Sequence, residues 1–96
     1  MSAYVIVDIQ VHDPVVYEQY KALAPAEVAA FGGKYLARGG KVENLEGSWA
    51  PSRLVILEFP SIEQAKAWLS SPSYSQVKQL RHQAAHSEMI VVEGLG

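Results

Sequence analysis

The sequence predicts an α+β fold with the order β-α-β-β-α-β, and three observations predict it. From Ala3 to Val11 every odd position is apolar while the even ones turn polar, the period-two signature of a strand with one core face. Asp13-Pro14 then opens a stretch with apolar residues three and four apart, and Ser61-Ile62-Glu63-Gln64 opens a second with the form of a capping box. Between them, in Phe31–Gly40, two glycine pairs bracket a short strand carrying Tyr35 and Arg38. The chain reads as two halves of similar length hinged on that segment.

Each element follows from its residues. The first strand, Ala3–His12, places Ala3, Val5, Val7, Ile9 and Val11 on one face and Tyr4, Ile6, Asp8, Gln10 and His12 on the other, which is only half apolar. Asp13 can cap the first helix, and Pro14 suits a first-turn position whose N–H is unpaired anyway. Tyr17, Tyr20, Ala24, Val28 and Phe31 form its apolar stripe. Pro25 predicts a kink or two abutting short helices. Gly32 and Gly33 supply a left-handed cap.

Lys34–Gly40 is the second strand and Arg53–Phe59 the third. The near-continuous apolar run Leu54-Val55-Ile56-Leu57 suits a central strand covered on both faces. Lys41–Ser52, with Asn44, Gly47, Trp49 and Pro51, is a connection long enough to expect a function or a partner for it. The second helical region carries Ala65, Trp68 and Leu69. It breaks at Ser70-Ser71-Pro72, and Ser71 caps a further helix with Tyr74, Val77, Leu80 and Ala84. Glu88–Leu95 closes the chain as a strand.

Two split βαβ units sharing one antiparallel sheet make the ferredoxin-like arrangement. Right-handed crossovers put both helical regions on one sheet face. The other face is then a bare apolar surface, and dimerisation is its expected use. Ninety-six residues make a single domain, 1–96, with room for one core and little for a deep pocket within one copy. A formal charge of −2 and a pI near 5.8 argue against nucleic-acid binding. The chain has no cysteine, which excludes disulfides, thiolate metal sites and cysteine nucleophiles. No apolar run approaches membrane-span length, and the N-terminus lacks a signal pattern, so a soluble, cytoplasmic protein is expected.

Several segments together resemble one family. They are Tyr4 in its apolar strand, Asp13-Pro14 with Tyr17 and Tyr20, Gly32-Gly33-Lys34-Tyr35-Leu36-Ala37-Arg38-Gly39-Gly40, Glu58-Phe59-Pro60-Ser61, Ser71-Pro72-Ser73-Tyr74, Arg81, and Val92-Glu93-Gly94. In that order they look like domain of unknown function family 1330 (DUF1330), over essentially the whole chain. The resemblance implies a dimeric α/β barrel, in which two ferredoxin-like sheets pack face to face. The wider group includes small-substrate monooxygenases and isomerases. The family has no settled activity, so the resemblance carries over no catalytic residue.

Candidate chemistry therefore rests on residue types. Arg38 could offer a planar fork to a carboxylate, or pair structurally with Glu58 or Glu93. Arg81 has the same two readings, since a cation near a helix C-terminus is favourable for structural reasons alone. Asp8 and His86 are the candidate proton carriers, Asp8 with dimer-seam hydrogen bonding as its structural alternative. Tyr4, Tyr74 and Trp49 complete the candidate substrate contacts, with Trp49 equally suited to anchoring its loop on a partner subunit. His82 and His86 stand four apart without an HExxH pattern, so no metal site is assigned, and no cofactor motif appears. The expected function is a homodimer binding a small organic molecule, an acid by preference, with isomerase or monooxygenase-like chemistry that needs no cofactor. The alternative is a non-enzymatic dimerisation or ligand-binding module.

Overall fold

The computed structural model describes residues 1–96. Its elements are β1 (Ala3–Val11), α1 (Pro14–Ala30), β2 (Lys34–Arg38), β3 (Leu54–Phe59), α2 (Ile62–Ser70), α3 (Pro72–Ala84) and β4 (Ala85–Glu93). The sheet order is β2-β3-β1-β4, with every neighbouring pair antiparallel. This is the ferredoxin-like α+β fold expected from the element order. No helix is long and apolar enough to cross a membrane.

The thinnest dimension is 16 Å, two layers and no more. Ala3, Val5, Val7 and Ile9 are buried under the helices, together with Val55, Leu57 and Phe59. Against them α1 lays Tyr17, Tyr20, Ala24 and Val28, α2 lays Ala65 and Trp68, and α3 lays Tyr74, Val77 and Ala84. An aromatic chain runs through this core, Phe59 to Trp68 at 5.3 Å and Trp68 to Tyr74 at 4.8 Å, both tilted.

Local chemistry fixes the boundaries. Asp13 accepts from the Val16 amide, Ser61 from the Gln64 amide, and Ser71 both ends α2 and caps α3 by accepting from Ser73. Gly32 takes the left-handed conformation after α1, at φ +77°. Gly33 serves a different need, close approach: a Cβ there would lie 2.6 Å from the Phe59 ring and 2.7 Å from Val28. Neither neighbour has room to yield. Gly33→Ala is expected to cost about 1–3 kcal/mol through overpacking, read as a lower thermal midpoint. An unchanged midpoint would mean that the helix end can slide.

Two expectations need correction. The helix is one continuous element through Pro25, so of the two expected outcomes, a kink or two abutting short helices, the second does not occur. β4 begins at Ala85, three residues before the predicted start, because α3 ends at Ala84 and the strand pairs with β1 from Val11↔Ala85 onward.

The opposite sheet face carries no helix. Ile56, Ile6 and Ile90 lie side by side across β3, β1 and β4, flanked by rows holding Tyr4 with Val92 and Asp8 with Leu54. Ile90 is 62% exposed and Val92 48%.

Candidate ligand-binding cavity

Beneath the helices the sheet leaves a cavity. Val7, Ile9, Val55, Leu57 and Met89 form its sheet side, and Tyr17, Tyr20 and Trp68 come down from α1 and α2. Tyr35 and Arg38 join from β2 and Arg81 from α3. The space between these walls totals about 360 Å³ out to the open mouth, of which about 20 Å³ admits the centre of a water molecule. That is room for one ordered water.

Strict alternation would send Tyr35 and Arg38 to opposite sheet faces. A register shift between Tyr35 and Ala37 resets the pleat, so Tyr35 pairs with Leu57 and Arg38 with Val55, both in core-facing rows. In α3 the stripe Tyr74, Val77, Arg81, Ala84 places a guanidinium where helical spacing calls for an apolar residue.

Two of the chain's three arginines, Arg38 and Arg81, line the cavity, and the third, Arg53, rests on its Tyr17 wall. Arg38 sits 4.7 Å over the Tyr35 ring, Arg53 5.4 Å over Tyr17, and Arg81 5.9 Å over Tyr20. No arginine has a carboxylate within 4.0 Å; the ion pairs of the chain are Lys21–Glu18, Lys34–Glu58, Lys41–Glu43 and His86–Glu88. Arg53 Nε donates to the Tyr17 hydroxyl at 3.1 Å, and Gly39 gives it room, since a Cβ there would collide with the guanidinium.

Arg38 Nη2 donates to the Lys21 carbonyl at 2.7 Å. The helical partner of that carbonyl would be the N–H of residue 25, which proline lacks. Pro25 thus exposes an acceptor, and Arg38 takes it. The expected Arg38 pairing with Glu58 or Glu93 does not form.

Arg81 is 4% exposed, and its Nε has no hydrogen-bond partner; neither does the buried Nε1 of Trp68. A buried donor without an acceptor costs about 1–3 kcal/mol, and native structures contain few. Two on one cavity mark a place that lacks an acceptor. Beside them the Tyr20 and Tyr74 hydroxyls share a 2.7 Å hydrogen bond.

Burial, with Tyr20 beside it, pushes the Tyr35 hydroxyl up to about 12 despite the pull of Arg38 and Arg53. Burial first, and Tyr20 second, also push Tyr74 well above the ordinary tyrosine range. Both phenols keep their protons to higher pH in the fold than in the unfolded chain. The stability they contribute is full below pH 10 and is lost as pH climbs toward 12. The thermal midpoint is therefore expected to fall across that window while tyrosinate absorbance stays well short of all five tyrosines until unfolding. Five tyrosines ionising near pH 10 in folded protein would contradict this.

The remaining predicted site residues lie elsewhere. Tyr74 stands behind the cavity wall, fully buried. Asp8 and His86 project from the open face, so they do not share a site with Arg38 as expected; the sheet lies between. Asp8 accepts from Trp49 Nε1 at 3.4 Å and from the Ser52 amide at 3.1 Å. His86 is exposed and 3.3 Å from Glu88. It belongs to β4, so it shares no helix face with His82. Tyr4 is on the open face, its ring over Gly94, where a Cβ would come within 2.7 Å. Trp49 is 62% exposed on its loop. The sequence reading missed Tyr17, Tyr20, Tyr35 and Trp68 as cavity walls, because their spacing announced only core.

The family model for the Domain of unknown function (DUF1330) matches residues 2–95. No curated protein matches the chain. A protein of unknown function from Rhodopseudomonas palustris is 19% identical at TM-score 0.78, covering 99% of this chain and 83% of its own. SnoaB, a cofactor-independent oxygenase from Streptomyces nogalater, is 13% identical at TM-score 0.67, covering 99% and 94%. A dimeric protein of unknown function with a ferredoxin-like fold from Bacteroides fragilis is 15% identical at TM-score 0.59, covering 97% and 96%. At such identities the likeness shows the fold alone.

Proposed function

We propose, for a chain that belongs to the DUF1330 family, a homodimer that binds a small organic anion in the cavity between sheet and helices. The observation that carries this reading is Arg81, buried beside Trp68 with no carboxylate in reach and a free Nε. A guanidinium removed from water calls for a counter-charge, and an anion entering from solvent supplies one. The aromatic rings around it favour a flat ligand. Entry requires Arg38 to leave the Lys21 carbonyl, since the closed cavity has room only for water.

Pairing through the open face supports the dimer. Four strands about 4.8 Å apart, with five to nine residues of about 3.3 Å each, give a footprint on the order of 400–500 Å². Stable interfaces take about 800 Å² per partner. The loop after β2, with Leu45 96% and Trp49 62% exposed, extends the apolar surface toward that size. The dimeric Bacteroides fragilis structure pairs a similar fold.

Binding comes before chemistry in this reading because no Asp, Glu or His lines the cavity, and Tyr35, its hydroxyl pushed up to about 12, does not serve as a base at neutral pH. Isomerase-like turnover, or oxygenase chemistry without a cofactor as named for SnoaB, would draw on the ligand's own acidity, the guanidiniums stabilising an enolate or phenolate. A second reading, a module that only dimerises, is favoured by the small free volume and by the tyrosine stacks that already occupy each arginine. Native mass spectrometry of gently purified protein separates the two. A dimer of 10.5 kDa chains carrying an acidic adduct of about 100–300 Da supports the first, and a bare dimer that takes up no carboxylate supports the second. A monomer would sink the shared premise.

A further inference from the structure

The cavity has two cationic ends of different character. Arg81 is buried at the inner end with Trp68 and Tyr20, while Arg38 is exposed at the mouth over Tyr35. Both line the same space, and neither has a carboxylate partner. A single carboxylate engaging Arg81 would leave Arg38 on its backbone tether. A monoanion thus supplies a counter-charge at one end and leaves the other with only a neutral carbonyl.

We infer that the ligand is a planar dianion, an aromatic or conjugated dicarboxylate, whose inner carboxylate meets Arg81 and the Trp68 Nε1 donor and whose outer carboxylate draws Arg38 off the Lys21 carbonyl. This rests on the anion-binding reading and adds the ligand's second charge. Three features support it together. The buried end has donors to spare, since Arg81 Nε and Trp68 Nε1 are both unbonded. The middle of the cavity is walled by tyrosine rings, which accept a flat conjugated body better than a branched aliphatic one. The outer guanidinium is tied to a neutral acceptor that exists only because residue 25 is proline. Exchanging a neutral carbonyl for a carboxylate replaces an ordinary hydrogen bond by a charge-assisted one, about twice as strong. The tether keeps Arg38 at the mouth while the cavity is empty, so little side-chain freedom remains to be lost on binding.

The probes are benzoate and the three benzene dicarboxylates (1,2-, 1,3- and 1,4-), measured by isothermal titration on the full chain, with Arg38→Gln and Arg38→Lys alongside. At least one dicarboxylate is expected to bind about tenfold or more tighter than benzoate, the increment of one added charge-assisted contact. Arg38→Gln is expected to erase that preference to within about threefold, and Arg38→Lys to restore part of it as a point charge without the fork. Arg38 is exposed, so both variants are expected to fold, and circular dichroism checks that they do.

Equal affinities for benzoate and every dicarboxylate, untouched by Arg38→Gln, would overturn the dianion and leave the anion cavity standing. A dicarboxylate preference that survives Arg38→Gln would overturn the assignment of Arg38. Failure of all four acids to bind would overturn both readings together.

Discussion

Arg81→Met is expected to raise the thermal midpoint while weakening the proposed anion binding. The substitution keeps an unbranched apolar stem against Tyr20, Trp68 and Tyr74 and removes a charge held at 4% exposure without a counter-ion. Replacing buried charges by apolar groups of similar volume often stabilises by about 1–4 kcal/mol. For a domain of this size each kcal/mol is worth about 4–8 °C. Binding moves the other way: losing a buried charge-assisted contact is worth about 1.5–3 kcal/mol, or roughly ten- to a hundredfold and more in affinity. The opposite signs make the experiment decisive. Scanning calorimetry with benzoate titrated into each variant reads both, and a lower midpoint with unchanged binding would mean that Arg81 only supports the fold.

Ile6→Lys is expected to split the proposed dimer. Ile6 is the middle of the isoleucine row on the open face, bordered by Ile56 on one side and Ile90 on the other. A lysine there would be forced between two apolar sheets without a partner, at a cost of several kcal/mol, which weakens association by about a thousandfold or more. Within one chain the same lysine faces solvent, so the monomer keeps its core. Sedimentation velocity at micromolar protein is the readout. Val15→Lys is the control, since Val15 is 72% exposed on α1 and far from the open face. A persisting Ile6→Lys dimer would move the interface elsewhere.

The fold was legible because its signals are local. Alternation in β1 announced which face is core, and Asp13, Ser61 and Ser71 announced helix starts through side chains that reach amides two or three residues away. The cavity was not legible, for three physical reasons. The β2 bulge adds a residue to the pleat, so Tyr35 and Arg38 share a face that counting by twos denies them. Arg81 breaks the apolar pattern of its helix, and without coordinates that looks the same as a solvent-facing arginine beside Leu80. Asp8 and His86 drew attention as titratable groups, but their even positions were bound to place them on the helix-free face opposite Arg38. Pro25 signals a kink or two abutting helices in the sequence, whereas the effect seen in the fold is on the carbonyl one turn back.

The segregation of charge sets how the proposed anionic ligand would arrive. Two arginines line the cavity and Arg53 is bonded to its Tyr17 wall, which leaves five lysines against ten carboxylates over the remainder of the chain. A distant anion therefore meets a repelling field, and only within a few ångströms of the mouth does attraction take over. Salt screens the long-range part first, with a Debye length of about 10 Å at 0.1 M. Added salt should accordingly quicken capture before it weakens retention, the reverse of what a protein with a basic exterior does. Under the proposed function the arrangement would discriminate by approach as well as by fit: large polyanions would be turned away at a distance, and only a small acid would come close enough to be held.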